Sequence, residues 1–376
     1  MPPVACLYVS PSGMRPPISD IQRHPPAASL IPFDQTVMRE ARSLKALERH
    51  ELVERGENMW LPTARADEAL ARRRGTMPLT HTTRHGNTQA SPVPDRRAHV
   101  ICDCNDRPGM SMFVSWVLDH MNEYGIASLT CTSFEADHDT LFDDGTPAMQ
   151  WHVDNDGREG RYSIADLAAR PLDGDGSFDS PECERLLDRP GAIVVANPPF
   201  SKAIRFMRML RRHPDTDFLI VANLNLATAN DVFPMVKGGR CLVGLSIHSG
   251  SMFFRLPDDR PKTGSMIRPD GTVGVNSVRW LTSLAAARAD KTQPPTGHTY
   301  RGHEDEYPEY DAYDAINVDS MRMMPDDHDG PMGVPLNFLE RWAPGNGFML
   351  LGKLDDPTID GRRLYKRLLV RRTRDA

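Results

Sequence analysis

The sequence predicts an α/β fold, with strands and helices alternating around a mostly parallel sheet, on three observations. From Ala98 onward, short apolar runs alternate with amphipathic stretches, the pattern of successive βα units. Some of those runs, such as Ala192-Ile-Val-Val-Ala196, are apolar throughout, as strands buried on both faces are. The chain has 376 residues, 39% of them hydrophobic, enough to bury a substantial core, which excludes global disorder.

Taken in order, residues 1–37 are proline-rich without hydrophobic periodicity, and 75–97 are a second polar stretch with Pro78, Pro92 and Pro94. Between them, Leu44, Leu47 and Leu52 near helical spacing predict a helix within Met38 to Arg74. Residues 1–97 therefore read as a flexible, partly helical arm. Ala98 to Cys104 is a first strand, with Cys102 and Cys104 as alternating residues of it. Ser111 to Tyr124 is a helix, with Phe113, Trp116, Val117, Met121 and Tyr124 on one face and Gly125 at its end. Ala127 to Phe134 is a second strand. Met149 to Val153 and Arg161 to Ile164 flank the turn signal Asp154-Asn-Asp-Gly157 and predict a hairpin. Ser180-Pro181-Glu182 supplies an N-cap, a proline at the first helical position and an acid in the first turn, so a short helix runs to about Arg189. Ala192 to Ala196 is a buried strand, Ser201 to Arg212 an amphipathic helix and Asp217 to Ala222 another strand. Beyond residue 240, Cys241 to Ile247, Met252 to Leu256 and Ser277 to Leu284 are three possible strands. The domain reading is an arm (1–97), a core carrying the chemistry (98–240), and the rest of the sheet with a further region ending in a basic C-terminus (241–376).

With 45 Lys+Arg against 51 Asp+Glu, the formal charge is −6, which at first disfavours a nucleic-acid partner. By region the charge is +4 over 1–97, −16 over 98–360 and +6 over 361–376. The last stretch interleaves Arg362, Arg363, Lys366, Arg367, Arg371 and Arg372 with apolar residues and reads as a strand or short helix with a basic face. No uninterrupted apolar run approaches about 18 residues, so no transmembrane helix is expected. No secretory signal is visible at the N-terminus, and six cysteines are too sparse for a disulfide scaffold, so a cytoplasmic setting is expected. Cys102-x-Cys104 is spaced more tightly than zinc ligands usually are, and no metal is expected.

The most informative segment is Val194 to Ser201, where a buried strand runs into Asn197-Pro198-Pro199-Phe200 and then a helix. Two prolines stiffen the turn and remove two backbone donors, so its carbonyl groups face outward as acceptors. The Asn197 side-chain oxygen and the Pro198 carbonyl together match the two N–H donors of an amino group on a planar base, and Phe200 can stack on the ring. The carboxyl end of a parallel strand is also where open α/β sheets bind ligands. The alternative is a strand-ending turn with an incidental Pro-Pro.

Asn197-Pro-Pro-Phe200 resembles the amino-methyltransferase motif, and its surroundings resemble the EcoRI-type adenine-specific DNA methyltransferase family. The resembling pieces are Val100 to Asp106 with Ser111-Met-Phe113, Gly174 to Phe178, Phe218 to Asn223, Phe233-Pro234, Met252 to Arg255, Arg279-Trp280, Tyr307 to Asp319 and Gly330 to Pro335. They run in order from about Val100 to Arg371.

The resemblance implies a Rossmann-like S-adenosylmethionine methyltransferase sheet with helices on both faces and a C-terminal α+β target-recognition region. It implies transfer of a methyl group to adenine N6 in double-stranded DNA, with the target base flipped out. Catalytic candidates are Asn197, Pro198, Pro199 and Phe200. Cofactor candidates by position are Asp103, Asn105 or Asp106 for the methionine amino group, Glu135 for the ribose hydroxyls, and Asp175 with Phe178 for the adenine. A solvated loop acid is the alternative for each acid, because the Gly-rich turn common after the first strand is replaced by Cys102-Asp-Cys-Asn-Asp-Arg-Pro108. An RNA methyltransferase acting on guanine N2 or adenine N6, a protein glutamine methyltransferase and a catalytically inactive DNA-binding relative remain as alternative readings. No membrane partner is expected, and a monomer is compatible with the sequence.

Overall fold

A computed structural model describes residues 98–104, 106–135, 147–245, 251–254, 266–269, 272–288 and 291–373, together with the backbone of two short N-terminal segments. Those segments, β1 (Val53–Gly56) and β2 (Met59–Pro62), pair as an antiparallel hairpin with Arg55 opposite Trp60. The helix expected within Met38 to Arg74 is corrected over those eight residues alone; Leu44, Leu47 and Leu52 lie outside the described residues. Leucine spacing carried that expectation, whereas Val53 and Trp60 are residue types that favour extended pairing. The remainder of the expected arm lies outside the described residues.

The main sheet has eight strands. They are β3 (Ala98–Cys102), β4 (Ile126–Thr132), β5 (Met149–Asp154), β6 (Ala168–Pro171), β7 (Ala192–Ala196), β8 (Asp217–Asn223), β9 (Leu242–Val243) and, after three short strands, β13 (Val278–Thr282). Their spatial order is β6-β5-β4-β3-β7-β8-β13-β9. The central pairs β4/β3, β3/β7 and β7/β8 are parallel, and the flanking strands pair antiparallel. From β3 the chain first builds β4 on one side and later β7 on the other. The boundary between β3 and β7 is therefore the switch point of the sheet, where loops leave in opposite directions and open a crevice.

Helices cover both faces, as expected. Helix α1 (Met112–His120) is capped by Ser111, whose hydroxyl accepts the Phe113 N–H at 3.2 Å. It buries Phe113, Val114, Trp116, Val117 and Leu118 against Val100, Leu129 and Trp280. Gly125, at φ 63°, takes the left-handed conformation that stops the helical run before β4. Helix α2 (Pro181–Glu184) follows the Ser180 cap and continues as a 3-10 turn to Asp188. On the opposite face, α3 (Ala203–Arg212) buries Phe206, Met207 and Leu210 against Val194 and Ile220. After β8 comes α4 (Phe233–Lys237).

Two local expectations are corrected. β5 pairs with β6, Gln150 opposite Arg170, and not with Arg161 to Ile164. Tyr162 turns inward instead: its N–H bonds the Leu118 carbonyl at 3.2 Å and its hydroxyl donates to Asp156 at 2.6 Å, so that segment is tied to α1 and the loop. β3 ends at Cys102, leaving Cys104 in the following turn, while Cys102 pairs in register with Cys131 of β4.

Strands β10 (Ser251–Phe254), β11 (Met266–Ile267) and β12 (Val273–Asn276) form a small antiparallel sheet beside α1, with Met252 in the same core. A five-stranded sheet closes the chain: β14 (Glu309–Tyr310), β15 (Tyr313–Asn317), β16 (Met332–Val334), β17 (Phe348–Leu354) and β20 (Arg367–Arg372), in the order β14-β15-β16-β20-β17. The hairpin β18 (Thr358–Ile359) and β19 (Arg362–Arg363) lies between β17 and β20. Ile316, Met332, Val334, Leu368 and Val370 of this sheet share one core with α3. Within the basic C-terminal stretch, Arg367–Arg372 is thus an interior strand: Leu368 and Val370 point into the core, Arg367 and Arg371 alternate to the other face, and Arg372, on the core side, lies over the Phe348 ring. Among the described residues, no helix is long and apolar enough to cross a membrane.

Candidate active site

The carboxyl ends of β3 and β7 lie side by side, so the loop after β3 and the Asn197 loop meet at the switch point. Their contact is a buried hydrogen bond. The Asn197 backbone N–H donates to Asp106 Oδ2 at 2.7 Å, and the Ser111 hydroxyl donates to Asp106 Oδ1 at 2.7 Å. The Asp106 N–H itself closes a turn onto the Asp103 carbonyl at 2.9 Å. Burial pushes the Asp106 carboxyl up to about 6, with the donors from Asn197 and Ser111 pulling the other way. One carboxylate therefore joins the start of α1 to the loop at the end of β7.

Asn197 is half-buried, Pro198 is buried, and Pro199 and Phe200 are half-buried, with Phe200 packed against the α1 side of the core. The Pro199 carbonyl accepts the Lys202 N–H at 2.8 Å and starts a 3-10 turn, Phe200–Lys202, that leads into α3. The extended conformation imposed on a residue before proline, and the fixed φ of each proline, leave this loop little freedom.

Around this contact the structure gathers most of the remaining candidates. Asp103 is buried directly after β3 and lines a cavity of ≈20 Å³ with Ile101, Thr132, Phe178, Cys183 and Phe206. Asn105 lies outside the described residues. Glu135, just past β4, retains about a quarter of its side-chain exposure (26%) and sits 3.7 Å from Arg107. Its N–H donates to the Asp175 carbonyl at 3.0 Å, which pins the two acidic loops together. Asp175 accepts the Ser177 N–H at 2.8 Å in a tight Asx turn. Gly176 makes this approach possible: at φ 70°, a Cβ there would lie 1.9 Å from the Ser133 carbonyl oxygen. Phe178 stands in the core, edge-on to Phe206 at 4.9 Å between ring centroids.

Residue types alone did not single out three further participants. Ser111 caps α1 and donates to Asp106, roles that its residue type left open. Arg107 faces Glu135, and Lys202 lies over the Phe134 ring at 5.0 Å. Among the described residues, no group of three or more His, Cys, Asp or Glu side chains is placed to hold a metal ion.

The family model for the adenine-specific methyltransferase EcoRI matches residues 95–373. The chain is 30% identical over 284 residues to the type II methyltransferase M.EcoRI of Escherichia coli, covering 73% of this chain and 86% of that protein. It is 32% identical over 274 residues to the type II methyltransferase M.MpnI of Mycoplasma pneumoniae, covering 69% and 77%. M.MgeORF184P of Mycoplasma genitalium is 27% identical over 304 residues, covering 73% and 87%. No solved structure is significantly similar. With the family model spanning the whole of the main sheet and of the C-terminal sheet, this chain belongs to the adenine-specific methyltransferase EcoRI family.

Proposed function

We propose that this chain is an S-adenosylmethionine-dependent methyltransferase acting on the N6 amino group of adenine in double-stranded DNA. The observation that carries the proposal is the Asn197-Pro198-Pro199-Phe200 loop, set at the switch point of the sheet and clamped there by Asp106. The names of the relatives, type II methyltransferases, support DNA as the substrate.

The donor set at the crevice fits the cofactor. Glu135, partly exposed at the end of β4, offers two acceptor oxygens to a ribose diol. Asp175, fixed by its turn, offers an acceptor to an adenine amine, and Phe178 forms the apolar floor beside it. By its position directly after β3, Asp103 is the acid we assign to the methionine amino group. The chemistry supplied by bound S-adenosylmethionine is an electrophilic sulfonium methyl.

The residues of the chain supply alignment. A duplex adenine must leave its stack for its amine to be reached, at a cost of a few kcal/mol. The Asn197 side-chain oxygen and the Pro198 carbonyl accept its two N–H bonds and aim the nitrogen lone pair at the methyl, while Phe200 stacks on the base. Rigid, preorganised acceptors of this kind stabilise the transition state without reorganising. No dedicated general base is required, because the proton lost after transfer leaves an already cationic nitrogen.

The test is incubation with methyl-labelled S-adenosylmethionine and either duplex DNA or structured RNA, followed by digestion to nucleosides. Label is expected in N6-methyladenine from DNA. Label confined to RNA would replace this reading with the RNA-methyltransferase one. Asn197→Ala is expected to abolish transfer while isothermal titration still shows cofactor binding. Undiminished turnover by that variant refutes the assignment of the loop.

A further inference from the structure

Position in the sequence groups Asp106 with the cofactor acids, but its surroundings assign it differently. It is 3% exposed, and both of its oxygens are engaged by protein donors, Oδ2 by the Asn197 N–H and Oδ1 by the Ser111 hydroxyl, each at 2.7 Å. A ligand ammonium approaching from the crevice meets neither oxygen at the surface. Glu135, by contrast, keeps 26% of its side-chain exposure beside Arg107, 3.7 Å away.

We infer that Asp106 is a positioning residue for methyl transfer: with Ser111, it locks the backbone of the Asn197 loop in its reactive geometry and does not bind the cofactor. This inference rests on the amino-methyltransferase reading above. The peptide entering Asn197 is held from one side by a charge-assisted hydrogen bond, and the chain leaving it is held by two prolines. With the first anchor removed, a buried N–H is orphaned and the loop relaxes to recover a partner. The Asn197 side-chain oxygen then shifts relative to the amine, and displacements near 1 Å cost about 10²-fold in rate. Ser111 is the second support, because its hydroxyl accepts the Phe113 N–H at the start of α1 while donating to Asp106 Oδ1.

The experiment uses the full chain and compares Asp106→Ala, Asp106→Asn and Ser111→Ala with the wild type. Three quantities are read: single-turnover methylation of duplex DNA, the dissociation constant of S-adenosylmethionine by titration calorimetry, and the melting temperature. Asp106→Ala is expected to lower the single-turnover rate about 100-fold while cofactor affinity stays within about twofold. Asp106→Asn is expected to recover at least about a tenth of the wild-type rate, because its Oδ1 can still accept the Asn197 N–H while its amide donates to Ser111. Ser111→Ala should fall between the two. A loss of cofactor affinity in step with the rate would mean that Asp106 is a cofactor ligand and would overturn the inference. So would an unchanged rate in Asp106→Ala. If that variant does not fold, Asp106→Asn decides: wild-type affinity with a reduced rate upholds the positioning role, and reduced affinity with a wild-type rate refutes it. A wild type that binds the cofactor but methylates no DNA adenine instead fails the proposed function, and the inference with it.

Discussion

At the residue scale, the Asp106 carboxyl is where burial and function oppose each other. Its folded-state value of about 6 lies above the ordinary 3.8, so its protonated form favours the folded state. That stability is fully present below about pH 3.8 and is lost as pH rises through about 6. Activity runs the other way, since only the ionised carboxylate accepts from both Asn197 and Ser111. The groups facing it are Asp103, which bonds it through its side chain, the Cys102 thiol, the Ser111 hydroxyl and the Asn197 amide. The single-turnover rate is therefore expected to fall on the acid side with a midpoint near 6, and the Asp106→Asn variant should lack that limb between about pH 5 and pH 8. A wild-type rate flat across this range would contradict the argument. Asn197, Pro198, Pro199 and Phe200 were legible as a group because chemistry and chain spacing coincide in one tetrapeptide. The partner that holds them was not, because a hydrogen bond between residues 91 positions apart leaves no local pattern.

At the element scale, the fold depends on how β13 meets the C-terminal sheet. Arg279 of β13 and Glu340, in the 3-10 turn after β16, form an ion pair at 2.7 Å with side-chain exposures of 6% and 5%. Lys291 adds a hydrogen bond to the Glu340 carbonyl at 2.9 Å. A buried pair of this kind is weak support for stability as a unit, yet breaking one side leaves an uncompensated charge. Glu340→Leu is expected to destabilise the fold by about 3–5 kcal/mol in urea unfolding, and Arg279→Met combined with Glu340→Leu should recover most of that loss. Equal instability of the single and double variants would show that shape, and not charge, dominates there. The helices were legible from their apolar spacing and caps, as Ser180 and Gly125 illustrate. Strand pairing was less so. Met149 to Val153 looked ready to pair across the nearest turn signal, but Tyr162 satisfies itself in the core and the chain runs on to Ala168 before it pairs.

At the scale of the whole molecule, the charge distribution sets how the chain meets a polyanion. Six of the seven basic residues in 361–376 form the basic face read from the sequence. Three of them face acids within the fold: Arg363 faces Asp356, Arg367 lies 3.8 Å from Asp319, and Arg372 lies 3.8 Å from Asp326. Arg372 also stacks on Phe348 at 4.7 Å. On the proposed reading, Arg362, Lys366 and Arg371 are the groups of this region available for phosphate contact. The slope of log affinity for duplex DNA against log salt is accordingly expected to be about −3, measured over a salt titration. A slope steeper than about −6 would require a basic surface elsewhere on the chain. The net charge of −6 is thus compatible with a nucleic-acid partner once the basic groups are located.

The sequence by itself determined the α/β class, the succession of β3, α1, β4, β7, α3 and β8, the Asn197 loop at the end of a buried strand and the family resemblance. Each is written in residues close together along the chain, where burial periodicity, caps and motif spacing are local signals. Only the tertiary structure decided that β3 and β7 are neighbours, that β20 is an interior strand, and that Asp106 holds the Asn197 loop. Strand order is settled by hydrogen bonding and packing between distant segments, and the chemistry of a carboxylate is settled by what it touches. Its two donors come from the cap of one helix and the end of a strand on the far side of the switch point, and proximity in sequence to the cofactor acids did not disclose them.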